Sequence, residues 1–486
     1  MRSSGASRGG CDGERRMKLR ITNVYRWALV IGLVIRVVLA PITAHPWDTY
    51  VFYDTAQTIL QGRDFYGATA YSYPPGWAGF LAVVGAFYRP LAAAWGAHPI
   101  TSARVDQLIG VPVELGSPQL VDWLFLILMK TPLIVGDLAL ATLVRNVVAR
   151  RFGRPDLANR AFAALFLNPY VIWISSAWGM FDVLPTYFAL LGFMLFLDKR
   201  DLASGLAFGF ATSLKYFPIL LAFGLIIAYR NVLDRPRISR FGLGFAGVLG
   251  ILSAPFLVWN FGAYVQGVLS PTSGSYVGRV SVWTIGDALG LLTIPLWVAA
   301  VDIATTLVLV ALFAEAARRR SLANGAAHMW VEVSVGSLAV FYTVNYAVNP
   351  QYFFWIIPFV SLDLALGRGR PRGLLALTAT MLTYIFVSVQ HYSFFLPLLT
   401  IDVGLARVVP MMPSIPPLTF ALAIAFWIEI LALLWSLTRR LGGRAQLIQV
   451  AKDWIRIVPL PRRQRSCVRK APPQEPVGDI SDGHGR

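Results

Sequence analysis

The sequence predicts an all-α, polytopic membrane protein, and three observations carry that expectation. Of its 486 residues, 56% are hydrophobic and only 14% charged, against roughly a quarter charged in soluble chains. Mean hydropathy is +0.59. Apolar runs of about 20 residues, enough to cross a bilayer as a helix, recur along the whole chain, so its length reads as one membrane domain rather than several soluble ones.

Ten runs read as clear spans: Tyr25 to Ala44, Gln119 to Val144, Ala158 to Ser176, Val183 to Leu197, Phe241 to Trp259, Leu291 to Ala314, Trp330 to Val348, Tyr352 to Leu366, Leu374 to Leu396 and Ile415 to Leu437. The first follows a basic stretch resembling a signal n-region but has no Ala-x-Ala site, so it is expected to stay as a span. Gly76 to Tyr88 is apolar for only 13 residues before Arg89 and Pro90, which predicts an interfacial or re-entrant helix. That leaves residues 45–118 as a long first extracytoplasmic loop carrying interfacial helices. Leu202 to Tyr229 has basic loops at both ends, so the chain must enter and return within 28 residues. Pro218 disfavours helical geometry at Phe217, and the expectation is two short half-spans folded around Lys215-Tyr216-Phe217-Pro218. Ten clear spans and two half-spans make about twelve passes.

A net charge of +18 would point to nucleic acid in a soluble protein. Here the basic clusters fall between spans, and positive loops stay in the cytoplasm. With both termini cytoplasmic, 34 of the 43 Lys and Arg residues lie on that side, so the charge reports orientation and no nucleic-acid partner is expected. Six lie outside: Arg63, Arg89, Arg104, Lys215, Arg279 and Arg407. The organisation is a basic tail at 1–24, a transmembrane domain at 25–438 and a basic tail at 439–486. The last, with Pro459, Pro461, Pro472, Pro473 and Pro476, reads as disordered, lipid-bound or simply solubilising.

Three apparent signals carry no chemistry. Cys11 and Cys467 sit in opposite tails and form no framework. Gly242-Leu243-Gly244-Phe245-Ala246-Gly247 matches GxGxxG but lies inside a span, where small residues serve helix packing. The five histidines show no metal-ligand spacing, and His45 with Asp48 and Asp54 is too few for zinc unaided.

Polar residues that orientation does not explain collect toward the outer face. The loop after the first span reads His45-Pro46-Trp47-Asp48-Thr49-Tyr50-Val51-Phe52-Tyr53-Asp54, then Gly62-Arg63-Asp64-Phe65-Tyr66 and Tyr71-Ser72-Tyr73-Pro74-Pro75. A helix from Asp48 to Leu60 would lie at the interface, with Asp48 either its N-cap or a functional carboxylate. Asn168-Pro169-Tyr170 and Gly179-Met180-Phe181-Asp182 follow, then Lys215, a lysine between apolar half-helices that needs an anion: a lipid phosphate, Asp182 or a substrate phosphate. Gln351-Tyr352-Phe353-Phe354-Trp355 reads as site or as interfacial aromatic belt. Lys130 and Asp137, seven residues apart, share one helical face. They read as structural salt-bridge partners of other spans, Arg36 among them, or as donor-binding groups.

In this order the motifs resemble the catalytic subunit of glycosylphosphatidylinositol mannosyltransferase I, a polyprenyl-phosphate-sugar-dependent family of the GT-C superfamily. The likeness covers about residues 25 to 365: Asp48 to Asp54 with Gly62 and Tyr66, Tyr71 to Pro75, Lys130 and Asp137, Asn168-Pro169, Gly179 to Asp182, Lys215-x-x-Pro218 and Gln351-Tyr352-Phe353-x-Trp355. One departure bears on metal use. Pro46 stands where the family has the first Asp of an Asp-x-Asp pair, leaving Asp48 as the matched carboxylate and arguing against a metal-binding role for the pair.

The resemblance implies a GT-C-like fold and inverting transfer of a sugar, in that family mannose, from a polyprenyl phosphate to a glycolipid or cell-envelope glycan on the extracytoplasmic face of the cell membrane. A bacterial relative fits the departure. Such chemistry needs a carboxylate to take the acceptor proton and cations to hold the phosphate. Asp48 is the expected base, with Asp54 as orienting or alternative base. Lys215, with Arg63, is expected to hold the donor phosphate, and Asp182, Gln351 and Tyr352 to line the pocket. The rival is a secondary transporter or lipid flippase, for which the intramembrane Arg36, Lys130 and Asp137 speak.

Overall fold

The computed structural model describes residues 8–110, 112, 115–269, 280–281, 296–324, 328–345, 348–368, 371–388, 391–401 and 416–457. Arg279, Arg407, Cys467 and the prolines beyond 458 lie outside them, as does the beginning of the run from Leu291. Described residues are almost wholly helical. Among them the strands are β1 (Ile100–Thr101) and β2 (Gln119–Leu120), antiparallel with Ile100 opposite Leu120.

The first helix, α1 (Arg8–Ile42), runs far beyond its apolar part into the basic N-terminal segment. After a short break, Pro46 opens α2 (Pro46–Leu60) at its first position, where a proline lacking N–H costs nothing. His45 occupies the N-cap position of α2, and Asp48 sits in the first helical turn. A brief α3 (Phe65–Ala68) leads to α4 (Pro75–Trp95), capped at its end by Gly96 in the left-handed region.

Helix α4 extends the expected piece at Gly76 to Tyr88 beyond its 13 apolar residues. It is continuous through Arg89 and Pro90 for 21 residues, long and apolar enough to cross a membrane. Pro90 removes one bond near the C-terminal end, a local loss that tertiary packing overrides. Gly85 lets α4 close on α2, since a Cβ there would lie 3.2 Å from Ala56 Cβ, and Arg89 Nε donates to Gln57 Oε1 at 3.0 Å.

Beyond α5 (Ser102–Ile109) and the strand pair, α6 (Trp123–Asn146) starts later than the expected Gln119. Asp122 caps it, accepting from the amides of Leu124 and Phe125. The expected span at Ala158 to Ser176 is broken: α7 (Pro155–Phe166) meets α8 (Pro169–Ile172) at a 46° bend, and a π-helical turn, Trp173–Trp178, follows. Asn168 caps the second piece, and Pro169 forbids continuation of the first. Helix α9 (Val183–Leu197) has the expected bounds. The break expected within Leu202 to Tyr229 is present, α10 (Asp201–Leu214) and α11 (Pro218–Tyr229) separating at residues 215–217.

The remaining helices are α12 (Arg235–Trp259), α13 (Phe261–Leu269), α14 (Leu296–Asn324), α15 (Met329–Val344), α16 (Ile357–Ala365), α17 (Pro371–Ser388), α18 (Pro416–Arg440) and α19 (Gly443–Ile457). A tight 3-10 turn, Pro350–Ile356, precedes α16. Helix α19 lies within the segment from 439 expected as a disordered, lipid-bound or solubilising tail. Asp453 pairs with Arg319 of α14 at 2.7 Å, and Gln446 donates to the Ala316 carbonyl at 3.3 Å.

This is an all-α polytopic membrane protein. Among the described residues, five helices are long and apolar enough to cross a membrane, or six with the bent pair. Helices α10 and α12 cross with their backbones in close approach. A Cβ on Gly205 would lie 2.1 Å from the Phe241 carbonyl oxygen, and one on Gly244 2.4 Å from that of Leu202. Gly244 of the discarded GxGxxG match therefore packs helices, while Gly242 and Gly247 face open space.

The two ends of the bundle differ. At one, basic residues meet helix-terminal carboxylates: Arg237 with Asp201, Arg230 and Arg318 with Glu315, Arg368 with Glu332, Arg440 with Asp363. At the other, the ends of α1 and α15 and the starts of α2, α6, α9 and α11 gather around aromatic side chains.

Candidate active site at the aromatic end

Asp48 is fixed by two short segments that flank it. The Trp178 indole Nε1–H donates to Asp48 Oδ2 at 2.7 Å, and His45 Nδ1 lies 3.0 Å from the same oxygen. Nδ1 also lies 3.3 Å from the Asp48 amide, and one nitrogen cannot both donate to the carboxylate and accept from the amide. The carboxylate contact is shorter and charge-assisted, and it is the one that we assign. The His45 ring stacks on Trp178 at 5.0 Å and meets the edge of Phe394 at 5.5 Å. Asp48 Oδ1 takes no hydrogen bond among the described residues, and the side chain keeps 19% of its surface exposed.

Burial by itself raises the Asp48 carboxyl. The charge and hydrogen bond of His45, the Trp178 donor and the charge of Lys215 outweigh it and hold the group below the usual carboxylate range. Asp48 is thus an anion with one oxygen anchored and the other open.

Lys215 sits at the break between α10 and α11, where Pro218 starts the second helix. Its Nζ donates to Asp182 Oδ1 at 2.7 Å, and the Trp355 indole donates to the same oxygen at 2.5 Å. Four rings surround the ammonium: Phe181 and Tyr352 at 5.0 Å, Tyr73 at 5.5 Å and Trp355 at 5.8 Å. Each ring face offers the cation further attraction, about 2 kcal/mol where water is excluded. The box is rigid because Trp355 is sandwiched, Phe217 stacking at 4.0 Å and Tyr352 at 4.3 Å. Asp182 precedes the first residue of α9, yet its side chain does not cap the helix. It is fully buried, and its Oδ2 has no partner among the described residues.

Of the residues singled out in the sequence, the fold brings Asp48, Asp182, Lys215 and Tyr352 together. Gln351 is buried in the same turn, but Tyr352 and Trp355 make the contacts to the charged pair. Asp54 and Arg63 do not join. Six positions along α2 turn Asp54 well away from Asp48; it is half-buried, raised by that burial and lowered by Arg63, which is exposed.

Lys130 and Asp137 are not partners of each other. Asp137 Oδ2 receives Arg36 Nε at 2.7 Å and Ser175 Oγ at 2.5 Å, while Arg36 also donates to the Gly32 and Phe166 carbonyls. Lys130 Nζ donates to the carbonyls of Ala40 at 3.1 Å, Ala177 at 3.2 Å and Thr43.

Trp178, His45, Tyr73 and Phe181 are site residues that the sequence did not mark for this role, while Trp355 lies in a run read as site or as aromatic belt. His45 had a usable signal in its spacing of three from Asp48; Trp178 had none, because its neighbour lies 130 positions away.

Among the described residues, no three His, Cys, Asp or Glu side chains come together as metal ligands. His45 and Asp48 meet through one pair of atoms, Nδ1 and Oδ2. No family model matches the chain, and no curated protein matches it.

Proposed function

We propose that the chain is an inverting membrane glycosyltransferase that moves a hexose, with mannose the first candidate, from a polyprenyl phosphate to a lipid or cell-envelope acceptor on the extracytoplasmic face. The observation that carries this reading is Asp48: an ionised carboxylate with one anchored and one open oxygen, under the influence of a caged lysine. In the reaction the acceptor oxygen forms a bond to the anomeric carbon as the bond from that carbon to the phosphate oxygen breaks. Asp48 Oδ1 takes the acceptor proton, and the electron pair leaves with the polyprenyl phosphate. Lys215, through the N–H groups not committed to Asp182, offsets the charge gathering on the phosphate. Tyr73, Tyr352 and Trp355 give flat apolar faces suited to a sugar ring or a prenyl chain.

A twelve-pass arrangement with both termini cytoplasmic belongs to this proposal. It places the aromatic end outside and the Arg-rich end inside, in keeping with the positive-inside rule. The resemblance to the glycosylphosphatidylinositol mannosyltransferase I family points the same way.

A transporter or flippase is the second reading, favoured by the fully buried Arg36–Asp137 pair. Through Asp137 of α6 and the Phe166 carbonyl of α7, Arg36 ties α1 to two other helices, which suits a fixed brace better than a moving carrier. Purified protein incubated with a panel of radiolabelled polyprenyl-phosphate sugars and membrane lipid acceptors tests the choice. Transfer from one donor supports the enzyme; no transfer from any, with uptake or lipid scrambling in vesicles, favours the transporter.

A further inference from the structure

We infer that Lys130 and Gly179 form a positioning device that sets the hydrogen-bond frame of Asp48. This rests on the reading of Asp48 as the base. The end of α1 and the π-helical turn at Trp173–Trp178 come from distant parts of the chain, and Asp48 needs both. His45 follows the first and Trp178 closes the second, so the distance between these segments fixes where Asp48 Oδ2 can sit. A direct tie joins them, the His45 amide donating to the Trp178 carbonyl at 3.2 Å.

Lys130 supplies the rest of the clamp. Its ammonium reaches in from α6 and is fully buried. It binds Ala40 and Thr43 at the end of α1, whose last carbonyls have no partner within the helix, and Ala177, the neighbour of Trp178. All three N–H donors are thereby used on backbone, leaving none for a phosphate. The lysine therefore holds the two anchors of Asp48 in register and does not touch substrate.

Gly179 is the second half of the device. With φ at +92° it turns the chain away from Trp178, and a Cβ there would lie 3.2 Å from Lys130 Cε, 2.8 Å from Met129 Cε and 3.5 Å from Thr49 Cγ2. A side chain at 179 would thus press on the Lys130 stem and the Met129 methyl and touch Thr49, the neighbour of Asp48. Gly179→Ala keeps the Lys130 charge and disturbs its place, which separates geometry from charge.

Two readouts test the device on full-length protein in detergent or nanodiscs, for Lys130→Met, Lys130→Arg and Gly179→Ala, with monodispersity as the check on folding. The first needs no activity: carbodiimide labelling of the Asp48 carboxyl against pH, read by peptide mass spectrometry. The labelling midpoint is expected to move upward in Lys130→Met and in Gly179→Ala, since His45 and Trp178 no longer stabilise the anion in full. The second is transfer, where kcat should fall about 10- to 100-fold with KM within about twofold, the signature of a misplaced group rather than lost binding. Lys130→Arg, too long and planar for the three-carbonyl pocket, should behave as Lys130→Met. If Lys130→Met does not yield folded protein, Gly179→Ala decides alone. An unchanged midpoint in a folded variant overturns the inference whatever the activity does. Failure of the wild type to transfer any sugar would instead remove the functional reading and leave the labelling result standing.

Discussion

The two ends of the bundle both bury carboxylates against cations, yet they treat the cation differently. At the basic end the carboxylates are enclosed while the arginines reach toward solvent: Asp201 is 2% and Arg237 15% exposed, Glu332 5% and Arg368 29%. Arg237 grips Asp201 through Nε and Nη2 at 2.8–3.1 Å, a geometry that satisfies both partners. At the aromatic end the lysine is as buried as its carboxylate, 5% against 0%, and Asp182 keeps an oxygen without a partner among the described residues. Arg-based pairs half in water brace helix ends. A buried ammonium boxed by four rings, with an unfilled carboxylate oxygen beside it, is costly as architecture and makes sense as a site.

The sharpest way to break this contrast is to remove the base. Asp48→Asn should lower transfer by about 10²- to 10⁴-fold, the usual worth of a positioned general base, with little loss of thermal stability. An equal loss of activity and stability would make Asp48 a structural residue instead.

Breaking the buried pair comes next. Asp182→Asn or Lys215→Met leaves a charge without its partner in a dry box, a change that costs about 3–5 kcal/mol. A large drop in apparent melting temperature is expected, insensitive to salt. Arg237→Ala at the basic end should cost less, about 1.5–3 kcal/mol for charged hydrogen bonds. Arg151→Ala, whose pair with Asp198 is 32% and 57% exposed, should cost under about 1 kcal/mol and vanish in high salt. Equal losses at the two ends would erase the distinction.

The pH dependence is a finer probe. Because Asp48 is held below the usual carboxylate range, it stays ionised until the pH drops past that of a free Asp, about 3.9. Its share of folding stability is present above the unfolded value and lost as pH falls through the lowered folded value. The acid limb of transfer should therefore lie below the ordinary carboxylate range, and His45→Phe or Trp178→Phe should move it up. The smallest effect is at Asp54, where Asp54→Asn should leave kcat within about threefold of wild type, since burial and Arg63 set that carboxyl and Asp48 does not meet it.

Much of this was legible in the sequence because one-dimensional rules govern it. Apolar length gave most helices, and the conflict between basic flanks and 28 residues gave the α10–α11 break at Lys215. Where packing overrides local chemistry the sequence misled. Helix α4 runs through Pro90 because α2 receives its small-residue face, and the bend at Asn168-Pro169 splits a run that looks continuous in hydropathy. In the site, Asp48, Asp182 and Lys215 stood out because charge is expensive among apolar neighbours. Trp178, Tyr73 and Trp355 did not, because aromatics at a membrane boundary are ordinary and only their meeting in space makes them a box. Lys130 and Asp137 share a helix face, but each found its partner on other segments.

The most direct test is sugar transfer from the polyprenyl-phosphate donor that wild type uses, measured side by side with folded Asp48→Asn over a range of pH. Wild type should transfer with an acid limb below the ordinary carboxylate range, and Asp48→Asn should lose at least about 100-fold of that rate at every pH. Transfer by Asp48→Asn at the wild-type rate, with the same acid limb, would contradict the account.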